Sequence, residues 1–206
     1  MSITIIIIIL TVIVSLQGFN NPAFIEQTKH WPYREAKAGE YWRLISSGFV
    51  HANWIHLGIN MFVLWQFGEY VELLYQTIFG SLFGGILYVV MYLSCIAFAD
   101  LPTFFKHREN YHYGGIGASG AVSGIVFIFV LVNPWNMLYI WGILPIPAIV
   151  GGIAYLWYSN YASRNSQSNI DHDAHFYGAI YGVLFTLIAQ PSLFNVFLQQ
   201  IADLPF

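Results

Sequence analysis

The chain has 206 residues, of which 57% are hydrophobic, 18% aromatic and only 8% charged, with a formal net charge of −3. Soluble domains carry about 25% charged residues, and a chain of this size cannot hide so much apolar surface behind a polar skin. The composition excludes a water-soluble enzyme and a disordered or nucleic-acid-binding chain, and it predicts a protein that folds in lipid.

Apolar stretches recur along the chain at the length of a membrane helix, about 20 residues. No Lys or Arg precedes the first stretch, and its exit at residues 15–18 is a poor cleavage site, so we interpret it as a retained span rather than a signal peptide. The polar and aromatic residues 20–47 predict a loop at the headgroup level. The predicted spans cover residues 3–19, 49–74, 78–99, 116–132, 137–158 and 174–189.

The pattern predicts an all-α bundle of six transmembrane helices, a single membrane domain over residues 1–206 with no soluble domain. Pro134 closes the fourth span because proline cannot continue a helix. The fifth span is predicted to tolerate Pro145 and Pro147, since neighbouring membrane helices can satisfy the freed carbonyls. Cys95 lies in an apolar run and is interpreted as a packing residue.

Four polar side chains fall near the N-terminal ends of spans two, four and six, which run in the same direction: His56, Asn60, Ser119 and His175. At a rise of 1.5 Å per residue they lie on the order of 5–15 Å below the membrane surface. His56 and Asn60 are four residues apart and share one helix face. Polar groups at this depth face the bundle interior or a wet cavity and mark a functional site.

Glycines four residues apart follow both Ser119 and His175 and predict a close helix contact just beneath them. A histidine can take the proton of a serine hydroxyl near neutral pH, so the pair permits nucleophilic acyl transfer. His56, Asn60 and the backbone N–H of Ser119 can donate hydrogen bonds to the oxyanion. Asp173 is interpreted as a cap or first-turn charge of span six, which leaves a Ser–His dyad. The glycines are Gly120, Gly124, Gly178 and Gly182.

At residues 42–182 the chain resembles the rhomboid intramembrane serine proteases. The resemblance rests on four motifs in order: Trp42-Arg43, His51-x4-His56-x3-Asn60, Gly117-Ala118-Ser119-Gly120, and His175-x2-Gly178-x3-Gly182. It implies that Ser119 is the nucleophile, that His175 is the general base, and that His56 and Asn60 occupy oxyanion positions. Arg43 and Glu72 resemble structural positions of the family.

By the same resemblance, the protein cleaves peptide bonds in or near transmembrane helices of single-span or multi-span membrane proteins, without a metal or a cofactor. We expect no nucleic-acid partner. The resemblance further implies a bacterial inner membrane, with the active site open to the extracytoplasmic side.

Two features depart from the family pattern. Many members have an aromatic residue four positions after the serine that stacks on the catalytic histidine, whereas this chain has Ser123. In addition, all seven Lys and Arg residues lie in loops on the predicted active-site face, and the positive-inside rule places such a face in the cytoplasm. We follow the family orientation, and the conflict stays open at the level of sequence.

Other interpretations stay open beside the protease. A non-catalytic binder or chaperone of membrane helices can use the same scaffold, and a zinc transporter would need ligands from His51, His56 and His175. His51 is interpreted as a packing histidine bonded to the backbone, with catalysis as the alternative. The remaining histidines are expected to be solvated loop residues: His30, His107, His112 and His172.

Overall fold

The computed structural model describes residues 1–140, 143–165 and 170–203, and it is mostly helical. Within these ranges the elements follow in chain order as α1 (Ile3–Asn20), α2 (Pro22–Thr28), α3 (Pro32–Ala38), α4 (Arg43–Ser46), a 3₁₀ turn (Ser47–Phe49), α5 (Trp54–Phe79), α6 (Ser81–His107), α7 (Ser119–Val132), β1 (Met137–Ile140), β2 (Leu144–Pro147), α8 (Ala148–Asn165), α9 (His172–Ala189) and α10 (Ser192–Ala202).

Helix α7 lies at the centre of the bundle. It packs against α5, α6, α8 and α9, and of residues 120–132 all but Val126 are buried. A helix that is apolar on every side is stable only when other elements surround it. Ser119 is the first residue of this central helix and is partly buried.

Two helices in the described part of the chain, α1 and α6, are long and apolar enough to cross a membrane. The pair α9 and α10 adds a third span if the two are counted together, although they meet at a bend of 115°. Helix α7 is apolar but shorter, and α5 carries His56, Asn60, Glu69 and Glu72 along its length. Six spans therefore stay a prediction.

The prediction of a helix across residues 137–158 is wrong in its first half. Met137–Ile140 and Leu144–Pro147 form two paired antiparallel strands, with Met137 opposite Pro147 and Tyr139 opposite Pro145. Two prolines without backbone N–H groups cannot sustain a helix here, whereas they fit a two-stranded ribbon with open edges. Helix α8 begins at Ala148, directly after the second of these prolines.

The other helix ends also differ from the predicted spans. The second predicted span starts at residue 49, but α5 begins at Trp54 because the Asn53 side chain caps it by accepting from the His56 backbone N–H at 2.9 Å. Helix α5 continues past residue 74 to Gly80, whose φ of +84° favours glycine. Helix α6 continues through Pro102 beyond its predicted end at residue 99.

Two segments hold helices that the hydrophobic pattern did not predict. The loop at residues 20–47 contains α2, α3 and α4, each at most seven residues long. Helix α10 follows the last predicted span. Its Gln200 side chain donates to the Val132 carbonyl at the end of α7, at 3.1 Å. These helices are short and amphipathic, so window-averaged hydropathy does not separate them from loops.

Glu72 of α5 fixes the first turn of α1 at the end of the bundle opposite Ser119. Its carboxylate accepts from the backbone N–H groups of Ile3 at 2.9 Å and Thr4 at 2.8 Å, and from the Thr4 hydroxyl at 2.9 Å. A helix start has unpaired N–H groups and a partial positive charge. A buried carboxylate accepts hydrogen bonds from these groups and interacts favourably with the charge. Glu72 thus connects α5 to the start of α1.

We predict that Glu72→Ala destabilises the protein by about 1–3 kcal/mol, because it leaves buried donors of α1 without acceptors. Thermal unfolding in detergent measures the effect. Glu69→Ala is the matched control: Glu69 is exposed and accepts a hydrogen bond from the Ser2 hydroxyl, so its loss has a much smaller effect. Equal unfolding temperatures for the two variants would contradict the prediction.

Candidate active site

Helices α7 and α9 touch backbone to backbone at the glycines that follow Ser119 and His175. A Cβ atom built on Gly178 would lie 2.1 Å from the Gly120 carbonyl oxygen, and one on Gly182 would lie 2.6 Å from that of Gly124. No side chain fits at these distances, so only glycine permits the approach. The contact sets the start of α7 beside the start of α9, at the level of Ser119 and His175.

The turn before α7 places Ser119 at the end of a tight loop. Gly117 has a φ of +127°, and a Cβ atom there would lie 2.6 Å from Cε1 of His56. The His56 ring therefore lies against the loop two residues before Ser119. The next residue, Ala118, provides no side-chain cap to α7, so the first N–H groups of this helix are left to a ligand.

Asn60 lies one turn after His56 on α5, and its side chain is buried. Its amide nitrogen donates to the His56 carbonyl at 2.9 Å, which fixes the amide on the helix face that carries the His56 ring. An amide has two N–H donors, so one is left for a second acceptor. His56 and Asn60 thus occupy one face, as their spacing predicts.

His51 holds the loop before Ser119 through the backbone. Its Nε2 accepts from the Ala118 N–H at 3.3 Å, so Nδ1 carries the proton and faces the Ser15 hydroxyl at 3.0 Å. The Ser47 carbonyl also accepts from the Gly117 N–H at 3.0 Å. His51 is 1% exposed, and these contacts match the packing interpretation rather than the catalytic one.

His175 lies in the first turn of α9, which begins with a capped N-terminus. The Asp171 side chain accepts from the Ala174 N–H at 2.9 Å and is the cap. Asp173 is a first-turn charge that pairs with Lys106 at 3.1 Å and accepts from Ser163. Asp173 is therefore directed at α6 and α8. The sequence signal for this cap is an aspartate, Asp171, directly before the first residue of the helix.

The aromatic neighbour of His175 comes from α8. The ring of Tyr155 lies nearly parallel to the imidazole, with 6.1 Å between ring centroids and 22° between planes. The Tyr155 hydroxyl is 2.6 Å from the hydroxyl of Ser123, the residue that stands at the usual aromatic position. No spacing in the sequence indicates this contact, because it joins two helices that are separated in the chain.

The first loop is organised around Arg43 and a buried histidine. Arg43 pairs with Glu40 at 2.6 Å and donates to the carbonyls of Glu26 and Lys29, as a structural residue of this loop. His30 was expected to be solvated but is fully buried: its Nδ1 donates to Glu35 at 2.8 Å. His172 is likewise buried, at 6% exposure, instead of solvated.

His30 connects this loop to the segment that leads to Ser119. Its backbone N–H and C=O both pair with Gly115, at 3.0 Å each. Burial by itself lowers the pKa of His30, but the nearby carboxylates of Asp100 and Glu35 outweigh it, so the pKa is raised above its usual value. Arg43, His51 and His30 thus support the site from the first loop without belonging to its reactive groups.

The arrangement is that of a serine hydroxyl and an imidazole at the starts of two touching helices, beside two potential oxyanion donors. Among the described residues, no group of three or more His, Cys, Asp or Glu side chains is placed to hold a metal ion. The cluster offers a serine hydroxyl and an imidazole as its candidate reactive groups.

A model of the rhomboid domain matches residues 38–192. The chain belongs to the rhomboid family. Family membership and the apolar helices make it an integral membrane protein, and the resemblance given by the sequence motifs is confirmed.

Three relatives illustrate the match. The mitochondrial RHOMBOID-like protein 12 of Arabidopsis thaliana is 29% identical over 150 residues, which are 69% of this chain and 45% of the relative. The chloroplastic Rhomboid-like protein 11 of the same plant is 30% identical over 156 residues, 70% of this chain and 51% of the relative. The rhomboid protease AarA of Providencia stuartii is 26% identical over 175 residues, 75% and 58% of the two chains. This rhomboid chain thus spans about half the length of the curated relatives it matches.

We predict that His30→Gln destabilises this rhomboid protein most at low pH. A histidine whose pKa is raised by folding stabilises the folded state fully below its unfolded pKa of about 6.5, and this stabilisation is lost as the pH rises through the folded value. The deficit in unfolding temperature against the wild type should be larger at pH 6 than at pH 9. His112→Gln, at an exposed position, is the control. A deficit that does not change with pH would refute the role of the charge.

Proposed function

We propose that this rhomboid protein is an intramembrane serine endopeptidase in which Ser119 and His175 form the catalytic dyad. The observation that carries the proposal is the backbone contact of α7 with α9, with Gly178 against Gly120 directly after the two residues. A side chain on Gly178 would meet the α7 backbone and separate the two helix starts, so the packing supports their joint use.

The proposed reaction is acyl transfer in two steps. The Ser119 Oγ attacks the substrate carbonyl carbon while His175 takes the hydroxyl proton, and the imidazolium then gives that proton to the leaving amine. Water, deprotonated by His175, hydrolyses the resulting ester of Ser119 and regenerates the hydroxyl. His175 alternates between base and acid, so no net proton is left on the enzyme.

The oxyanion of each tetrahedral intermediate needs donors that are already in place. The uncapped start of α7 supplies backbone N–H groups and the positive end of the helix dipole beside Ser119. The ring of His56 against Gly117 and the buried amide of Asn60 supply side-chain donors from α5. Preorganised donors of this kind are each worth about 3 kcal/mol in the transition state.

The proposed substrates are single-span or multi-span membrane proteins. A site enclosed by apolar helices admits a segment that is itself stable in lipid. In addition, the relative AarA is named a rhomboid protease. A local loss of helical structure in the substrate is required, because the carbonyl must leave its helical hydrogen bond to enter the oxyanion site.

We predict that Ser119→Ala and His175→Ala each abolish cleavage of a transmembrane substrate and labelling by a fluorophosphonate probe. Gel-based labelling in detergent measures the second effect, and thermal unfolding shows that both variants stay folded. Ser81→Ala is a matched serine control far from the site, at the start of α6, and should label as the wild type does. A folded wild-type protein that binds a membrane helix without cleavage or labelling would instead indicate the non-catalytic binder.

We further propose that the active-site face opens to the extracytoplasmic side of a bacterial inner membrane. Of the seven Lys and Arg residues on that face, all of them in the described part of the chain, five lie in ion pairs with neighbouring carboxylates. A cation that is paired within a folded loop is less costly to place across the membrane than a free one, which eases the conflict with the positive-inside rule. The paired residues are Lys29, Arg34, Lys37, Arg43 and Lys106.

A membrane-impermeant maleimide tests this orientation in intact bacterial spheroplasts. We predict that Arg108→Cys, exposed on the active-site face, is labelled, whereas Asp203→Cys, exposed on the opposite face, is labelled only after lysis. The native Cys95 is buried and serves as the unlabelled background. The reverse pattern of labelling would place the site in the cytoplasm.

A further inference from the structure

Tyr155 is a residue of α8 that contacts both helices of the proposed dyad. Its hydroxyl lies 2.6 Å from Ser123 Oγ, and the Ser123 hydroxyl donates to the Ser119 carbonyl at 2.8 Å. A hydroxyl has one proton to donate. Because Ser123 donates to the Ser119 carbonyl, Tyr155 is the donor in its hydrogen bond with Ser123. The Tyr155 ring meanwhile lies nearly parallel to the ring of His175.

These contacts form a continuous path from the main chain of Ser119 to the imidazole plane of His175. The path runs through Ser123, which is buried at 5% exposure, and then through the phenol of Tyr155. The phenol needs both of its parts: the hydroxyl reaches α7 and the ring reaches α9. Phenylalanine at this position would preserve only the ring contact with α9, and leucine would preserve neither contact.

Helix α8 otherwise meets α7 through apolar surface. Gly152 lies against the Phe127 ring, and the Phe127 and Tyr155 rings are 5.9 Å apart. The opposite side of α8 is exposed at Ile153 and Trp157, at 62% and 68%. The bond from Tyr155 to Ser123 therefore gives this half-exposed helix a polar connection to the nucleophile's helix.

On the basis of the proposed dyad, we infer that Tyr155 is a positioning residue that orients the His175 ring and fixes the first turn of α7, so that α8 takes part in the geometry of the site. An imidazole must hold its plane and its distance to a hydroxyl for proton transfer to be efficient, and small displacements reduce rates by large factors. His175 receives no such support from Asp173, which is engaged with Lys106 and Ser163.

The test is the second-order rate of fluorophosphonate labelling at Ser119 across a series of variants at position 155. We predict that Tyr155→Leu, which keeps apolar volume but no ring, lowers the rate roughly 10- to 100-fold. Tyr155→Phe keeps the ring but loses the hydroxyl bond to Ser123, so its rate should fall between those of the leucine variant and the wild type. Tyr161→Ala, an exposed tyrosine on the same helix, is the matched control and should label as the wild type does.

Two further readouts separate positioning from a general loss of stability. The pH profile of labelling should change shape in Tyr155→Leu and not in Tyr161→Ala, because only the former changes the surroundings of the base. The double variant Ser123→Tyr with Tyr155→Ala places a ring on α7 one turn after Ser119, and it should recover part of the rate lost in Tyr155→Ala. Thermal unfolding of each variant shows which proteins are folded.

The outcomes for the two proposals are distinct. Wild-type protein that is not labelled, or labelling that persists in Ser119→Ala, overturns the protease proposal. Labelling that depends on Ser119 and His175 but proceeds at the wild-type rate in folded Tyr155→Leu overturns the role of Tyr155 alone. Should the leucine variant fail to fold, Tyr155→Phe and the double variant decide. An intermediate rate for Tyr155→Phe and a partial recovery in the double variant support the role of Tyr155, whereas a wild-type rate for Tyr155→Phe without recovery in the double variant overturns it.

Discussion

The contact between the backbones of α7 and α9 is the constraint on which the rest of the structure depends. On α9, a Cβ atom at Gly178 or Gly182 would lie too close to the carbonyl oxygen of Gly120 or Gly124 on α7 to be accommodated. In lipid, helices gain little from burying apolar surface against each other, so close packing and hydrogen bonds supply the stabilisation. The same contact that joins the two helices also sets their first turns, and with them Ser119 and His175, at one level.

The loop before α7 is fixed from outside the bundle core. Gly115 pairs with His30, the Gly117 N–H donates to Ser47, and the Ala118 N–H donates to His51. Each bond satisfies a main-chain group that a tight loop would otherwise leave unpaired in a water-poor region. The first loop, with its buried charges and three short helices, is in this sense part of the scaffold of the site.

Much of the site could be predicted from the sequence, because its parts lie within short local patterns. Helical periodicity alone places His56 and Asn60 on one face, and glycine spacing indicates the α7–α9 contact. The two paired strands at Met137–Ile140 and Leu144–Pro147 and the buried position of His30 could not be predicted in the same way. Both depend on partners that hydropathy does not identify: a paired strand for the one, and the Glu35 and Asp100 carboxylates for the other. Tyr155 belongs with them, since it meets His175 only across two helices.

The sequence by itself determined that the protein folds in lipid, that it belongs with the rhomboids, and which serine and histidine are paired in the proposal. Charge content, helical period and motif order are properties of the chain and can be identified without knowledge of the fold. The tertiary structure alone decided what holds the loop before Ser119 and which ring faces His175. Those assignments depend on distances between helices, which packing sets and which no spacing along the chain encodes.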